Sequence, residues 1–186
     1  TMRALEEVAS ALQADGVETE IVQIGVKPVR GCIACGRCRE LGRCAFSDDV
    51  ANEILEKALA ADALVLGTPV YYAQPNGAIL AVMQRVFFAS GGRLRGKPAA
   101  SVAVCRRGGA SAAFQTLNLF YGIAGMPVAG SQYWNIAYGA APGEVAQDAE
   151  GLQTMRLLGR NLAWMAKNLK TGVPAREPWQ MTNFIR

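Results

Sequence analysis

The sequence predicts an α/β fold: three layers around a doubly wound parallel sheet. Strand-like apolar runs alternate with helix-period segments along the chain, an order that calls for parallel strands joined by crossover helices. One run, 63–67, is continuously apolar and a second, 99–105, nearly so, as in strands covered on both faces. The chain has 186 residues, 51% of them hydrophobic, which suits one large core and not two small ones.

Met2, Leu5, Val8, Ala9 and Leu12 recur at helical spacing, so residues 2–15 are expected as an amphipathic helix that Asp15-Gly16 stops. Val17 to Ile24 is β-branched and partly alternating, and is expected as a strand near a sheet edge. Residues 27–47 hold four cysteines, three glycines and a proline, and read as a loop. Ser47 or Asp48 is the expected cap of a helix reaching about residue 61, with Val50, Ile54 and Leu55 inward.

Ala63 to Gly67 is expected as a buried strand, and residues 68–76, with two prolines, as the loop after it. The next helix, 77–90, is apolar nearly all round and predicts burial, against the core or another subunit. A second buried strand (99–105), a glycine-containing turn (106–110), a helix (111–124) and a strand (127–133) follow. Residues 135–147 read as irregular. Leu152, Met155, Leu158, Leu162, Met165 and Leu169 mark a last helix.

The expected organisation is one domain, 1–170, with a cysteine-rich loop at 28–46. The tail 171–186, ending in Trp179, Met181, Phe184 and Ile185, is expected to make a subunit contact. A sheet of this class has five strands in order 2-1-3-4-5 and opens on a strand. Here a helix comes first and four strands are visible, so the first strand is expected to be missing from this sequence.

Composition narrows function. A mean hydropathy of +0.14 is too apolar for disorder. No apolar run reaches the ~20 residues of a membrane helix. No signal peptide opens the sequence, so a cytoplasmic location with reduced thiols is expected. The net charge of +4 is scattered and forms no basic stripe, which argues against nucleic acid as a partner. The sequence has no histidine, which removes histidine-based nucleophilic catalysis and histidine-ligated zinc or haem. With no P-loop and no G-x-G-x-x-G, the chemistry is expected to come from a cofactor.

The sharpest motif is Cys32-x2-Cys35-x2-Cys38-x5-Cys44. Four thiolates so close together can wrap one inorganic centre, with Gly31, Gly36 and Gly42 letting the backbone turn. All-sulfur ligation suits a [4Fe–4S] cluster or zinc, and a loop that keeps its cysteines without a metal is the plain alternative. Cys105, at a strand end, reads as a core residue.

Two strand–helix loops have the composition of a flat-ring site at the carboxyl ends of the strands. Thr68, Pro69, Val70, Tyr71, Tyr72 and Asn76 offer planar side chains and backbone amides to an isoalloxazine ring. In the second loop, Gly108 and Gly109 allow close backbone approach, and Arg106 or Arg107 offers positive charge to a reduced flavin. Ordinary connections with surface tyrosines and arginines are the competing reading.

The cysteine loop ending in Asp48-Asp49, Gly67–Tyr72, Arg106–Gly109 and the closing Thr182-Asn183-Phe184-Ile185-Arg186 together resemble the NADPH-dependent FMN reductase family, and within it the iron–sulfur flavoprotein branch. The resemblance spans nearly the whole chain. It implies a flavodoxin-like fold, FMN at the strand ends, a [4Fe–4S] cluster on Cys32, Cys35, Cys38 and Cys44, and a homodimer or homotetramer. It implies electron relay between flavin and cluster, with NAD(P)H or ferredoxin as donor. A cluster-free flavin or quinone reductase and a non-catalytic flavin-binding module are the rival functions. Family members carry a phosphate-cradling loop after the first strand, and only Thr1 stands where its end would fall; Thr1 is therefore the candidate hydroxyl ligand.

Overall fold

In the computed structural model, which describes residues 1–169, 172–180 and Thr182, the apolar runs form the centre of the sheet. Strand β1 (Leu64–Tyr71) lies parallel to β3 (Ala99–Cys105), from Leu64 beside Ala99 to Pro69 beside Val104. A two-residue strand β2 (Gln74–Pro75) folds back on the end of β1, and β4 (Ile136–Tyr138) lies parallel to β3, giving the order β2-β1-β3-β4.

Period-two alternation in β3 feeds two cores. Ala100, Val102 and Val104 face α1 (Met2–Ala14) and α6 (Ala149–Asn168), where Val8, Leu12, Met155, Leu158 and Leu162 are buried. Ala99 faces the opposite layer, built from α3 (Ala51–Ala60), α4 (Gly77–Ser90) and α5 (Ala110–Ala124). Each fully buried leucine contributes roughly 1.5–3 kcal/mol. The α1–α6 contact is close: a Cβ on Gly159 would lie 2.6 Å from the Ala11 Cβ.

Several expectations need correction. Residues 17–24 form no strand and join no ladder. In a 2-1-3-4-5 sheet this segment would pair with the strand before α1, and no such strand lies among these residues. Val17 and Ile24 still pack on the two cores. For the same reason β1, apolar as it is, stays half-buried over most of its length, whereas β3 is buried throughout.

The strand expected at 127–133 is broken. It touches β3 at Val128, swings out, and resumes at Ile136–Tyr138, a stretch expected to be irregular. Buried Asn135 organises the excursion, accepting from the Ser131 hydroxyl at 2.7 Å. Helix α3 starts at Ala51, later than Ser47 or Asp48 would dictate, because Asp49 supplies the oxygen that accepts from the Ala51 N–H at 3.0 Å. A short helix, α2 (Cys38–Leu41), stands inside the cysteine loop where none was expected.

The tail folds back at its start: a Cβ on Gly96 would lie 2.4 Å from Val173 Cγ2. Trp179 is exposed. Met181, Asn183, Phe184, Ile185 and Arg186, on which the subunit-contact and resemblance readings partly rest, lie outside the described residues. No helix among the described residues is long and apolar enough to cross a membrane.

Candidate functional site

The parallel pairing of β1 and β3 sets their carboxyl ends side by side, so the loops that follow are neighbours. β1 turns into β2 through Tyr72 and Ala73, with φ of 47° and 63°. Two successive positive φ values make a tight hairpin turn, and without glycine each costs of order 1–3 kcal/mol. The turn leaves Tyr71 and Tyr72 exposed at its tip. The second loop presses against it: Gly109, at φ 83°, sits where a Cβ would lie 2.6 Å from the Ala73 Cα and 3.0 Å from Val70 Cγ1. Val70 packs against the buried cluster that holds Cys105, Ala110 and Ile136. Arg106, Arg107 and Gly108 are exposed beside this junction.

Not every predicted residue offers its side chain outward. Thr68 is fully buried; its hydroxyl donates to the Pro69 carbonyl at 2.8 Å and accepts from the Asn76 N–H at 3.0 Å. The Asn76 side chain caps α4, accepting from the Ala78 N–H at 2.8 Å. Both brace the loop from within. Pro69 is half-buried in the ladder.

Helix N-termini differ in a way that bears on anions. Asn76 and Asp148 cap α4 and α6 with their side chains, whereas α1, behind Thr1, and α5, behind Gly109, start without one. At such a start the helix dipole favours a negative group. Burial pushes the Cys105 thiol up, in keeping with its place in the core.

The four motif cysteines line one pocket of about 180 Å³, together with Ile33, Phe46, Arg85 and Phe88. All are free thiols; Cys35 is exposed and the other three are half-buried. Left-handed Ala34 (φ 54°) and Gly36 (φ 73°) coil the chain, and the Ala34 N–H donates to Cys32 Sγ at 3.4 Å. Gly42, at φ 64°, ends α2, and its carbonyl accepts from Arg93, in the turn after α4, at 2.6 Å. Among the described residues no three Cys, Asp or Glu side chains converge tightly enough to hold a single ion.

Sequence reasoning missed the residues that fix Cys44. The Asn52 amide accepts from the Cys44 N–H at 2.9 Å and donates to the Cys44 and Phe46 carbonyls at 3.0 and 3.1 Å. Arg85, 2% exposed, pairs with buried Asp49 and donates to Cys44 Sγ at 3.2 Å, to the Phe46 carbonyl at 2.8 Å and to the Arg30 carbonyl at 3.4 Å. Although burial pushes the Asp49 carboxyl up, hydrogen bonds from Arg85 and the Ala51 N–H outweigh it and hold the group below its ordinary range. The signal for Arg85 was available: it is the one charged residue in the apolar stretch 77–90.

Comparison with known proteins agrees with this arrangement. An iron–sulfur flavoprotein from Methanocaldococcus jannaschii is 35% identical over 178 residues, 91% of this chain and 92% of that protein. An iron–sulfur flavoprotein from Methanosarcina thermophila is 31% identical over 79% of this chain and 78% of its own. The solved structure of a flavodoxin, WrbA-like protein from Agrobacterium tumefaciens superposes with a TM-score of 0.62 at 19% identity, covering 91% of this chain and 90% of that one; it shares the flavodoxin-like fold. The model of the NADPH-dependent FMN reductase family matches residues 1–141, and with the two loops joined at the carboxyl ends of the strands, the chain belongs to that family.

Proposed function

We propose that this protein is an FMN-dependent oxidoreductase that relays electrons between FMN, bound at the β1–α4 and β3–α5 loops, and a [4Fe–4S] cluster held by Cys32, Cys35, Cys38 and Cys44. The observation that carries the reading is the single pocket lined by all four cysteines, into which a backbone N–H and a buried guanidinium aim at sulfur. A four-iron cluster gives each thiolate its own iron, so the sulfurs need not meet around one point. Zinc would require donors about 2.3 Å from a common centre, and the spread of the side chains does not suit it.

The flavin end fits in the same sense. Tyr71, Tyr72, Pro69 and Val70 offer walls to a flat ring. The uncapped starts of α1 and α5 suit a phosphate, with the Thr1 hydroxyl beside the first. Arg106 and Arg107 offer positive charge to an anionic reduced ring, and Gly108 and Gly109 keep the backbone close. Thr68 and Asn76 position this loop. When bound, FMN supplies two-electron chemistry and the cluster one-electron chemistry, which suits NAD(P)H or ferredoxin as donor. The residues bind, orient and tune; none is needed as a general base.

Phe88 on α4 and Leu119 and Ile123 on α5 expose large apolar side chains, which supports a homo-oligomer. A cluster-free flavin reductase is the second reading, favoured by the cysteines' lack of convergence. Purification without oxygen separates the two. FMN and about four irons with matching sulfide per chain are expected. Less than one iron per chain, with FMN retained, overturns the cluster.

A further inference from the structure

We propose that Arg85 is a positioning residue for the cluster: its guanidinium holds Cys44 as the fourth ligand and sets the electron affinity of the centre through an N–H···S hydrogen bond. The inference rests on the cluster reading above and deepens it.

Arg85 is the only charge in α4, and all its loop partners come from residues 30–49: the Arg30 and Phe46 carbonyls, Asp49 and Cys44 Sγ. A buried cation persists only when paired and hydrogen-bonded. Asp49 and the two carbonyls meet that need. A further donor, Nε–H, is directed at sulfur at 3.2 Å. A neutral thiol is a weak acceptor, whereas a thiolate is a strong one and the bond is then charge-assisted. The geometry therefore gives Cys44 Sγ a directed cationic donor, of the kind a metal-bound thiolate accepts strongly.

Arg85 also singles Cys44 out. Cys32 accepts from the Ala34 N–H of its own turn, while Cys44 is tied to a helix of the core. Hydrogen bonds to the sulfurs and local charge are among the levers that set cluster potentials. The Arg85 bond stabilises the more negative, reduced state and raises the potential. Asp49 acts in the opposite sense by cancelling the guanidinium charge. This predicts two shifts of opposite sign, which a purely architectural ion pair does not.

The test uses the full chain, reconstituted without oxygen, as wild type, R85Q, R85K and D49N. Iron and sulfide are counted, and the midpoint is read from an EPR-monitored redox titration. At the wild-type midpoint, R85Q is expected to lower the reduced-to-oxidised ratio roughly tenfold, which is 59 mV for one electron. R85K is expected to lower it less, and D49N to raise it. Iron and sulfide present with an unmoved midpoint in any folded variant overturns the proposal while leaving the cluster in place. Should R85Q not fold, R85K and D49N decide by the same criterion. A wild-type protein without iron and sulfide overturns the cluster reading and this inference together.

Discussion

Gly109 and Ala73, on different loops, approach so closely that a Cβ on the glycine would stand 2.6 Å from the alanine Cα. The neighbour is backbone and cannot rotate away. Gly109 also holds φ 83°, which side-chain-bearing residues adopt at a cost of about 1 kcal/mol or more. Gly109→Ala is expected to destabilise the fold by about 2–3 kcal/mol, a fall in melting temperature of roughly 5–10 °C. It is also expected to weaken FMN binding by parting the loops. Thermal unfolding and fluorescence titration with FMN check both, and a variant with wild-type values in both refutes the junction's importance.

Asn52 offers a second check. Its amide satisfies three backbone groups around Cys44. Asn52→Ala orphans them, at roughly 1–3 kcal/mol for a buried group left unpaired. The expected outcome is a fall in iron retained after reconstitution, with FMN stoichiometry unchanged.

The cysteines divide sharply. Cys35→Ser, at the exposed member of the pocket, is expected to abolish stable iron incorporation. Cys105→Ala, in the core at the end of β3, is expected to leave iron content at the wild-type level. Iron analysis of the two variants, side by side, is sufficient; equal losses contradict the assignment.

Acid should loosen the α1–α6 contact. Glu7 of α1 accepts from Arg156 of α6 at 2.5 Å and from Arg3 of its own helix. Partial burial pushes its carboxyl up, but these two hydrogen bonds prevail and hold it below the ordinary value. A carboxyl with a depressed folded value stabilises above the unfolded value of about 4.3, and that stability is lost as pH falls through the folded value. Both arginines are substantially exposed, so screening limits the contribution to about 1 kcal/mol or less. Glu7→Gln is expected to melt below wild type at pH 7 and to converge with it in acid, as pH falls through the folded value. A gap that persists unchanged in acid rules out the charged carboxylate as its source.

Much of the architecture was legible because it rests on local signals. Helices α1, α4 and α5 lie within a residue of their predicted bounds, since hydrophobic periodicity and stops such as Asp15-Gly16 act within one turn. The two central strands were readable from wholly or nearly apolar runs. What escaped depends on partners distant in sequence. Residues 17–24 carry strand chemistry, but a strand exists only through its neighbour. The excursion before β4 is held by Asn135 and Ser131, two polar residues whose meeting no periodicity reveals. At the site, the cysteine motif and the two loops could be named. Their bracing could not, because Asn52 and Arg85 act on Cys44 from 8 and 41 residues away.

Helix α4 thus works as a ruler pinned at both ends. Asn76 anchors it in one loop and Arg85, nine positions later, anchors it beside Cys44. At 1.5 Å per residue the two anchors stand about 14 Å apart along the axis. One residue inserted between them would swing the guanidinium about 100° around the helix and away from the sulfur. Surface connections elsewhere can lengthen freely, but this span tolerates neither insertion nor deletion.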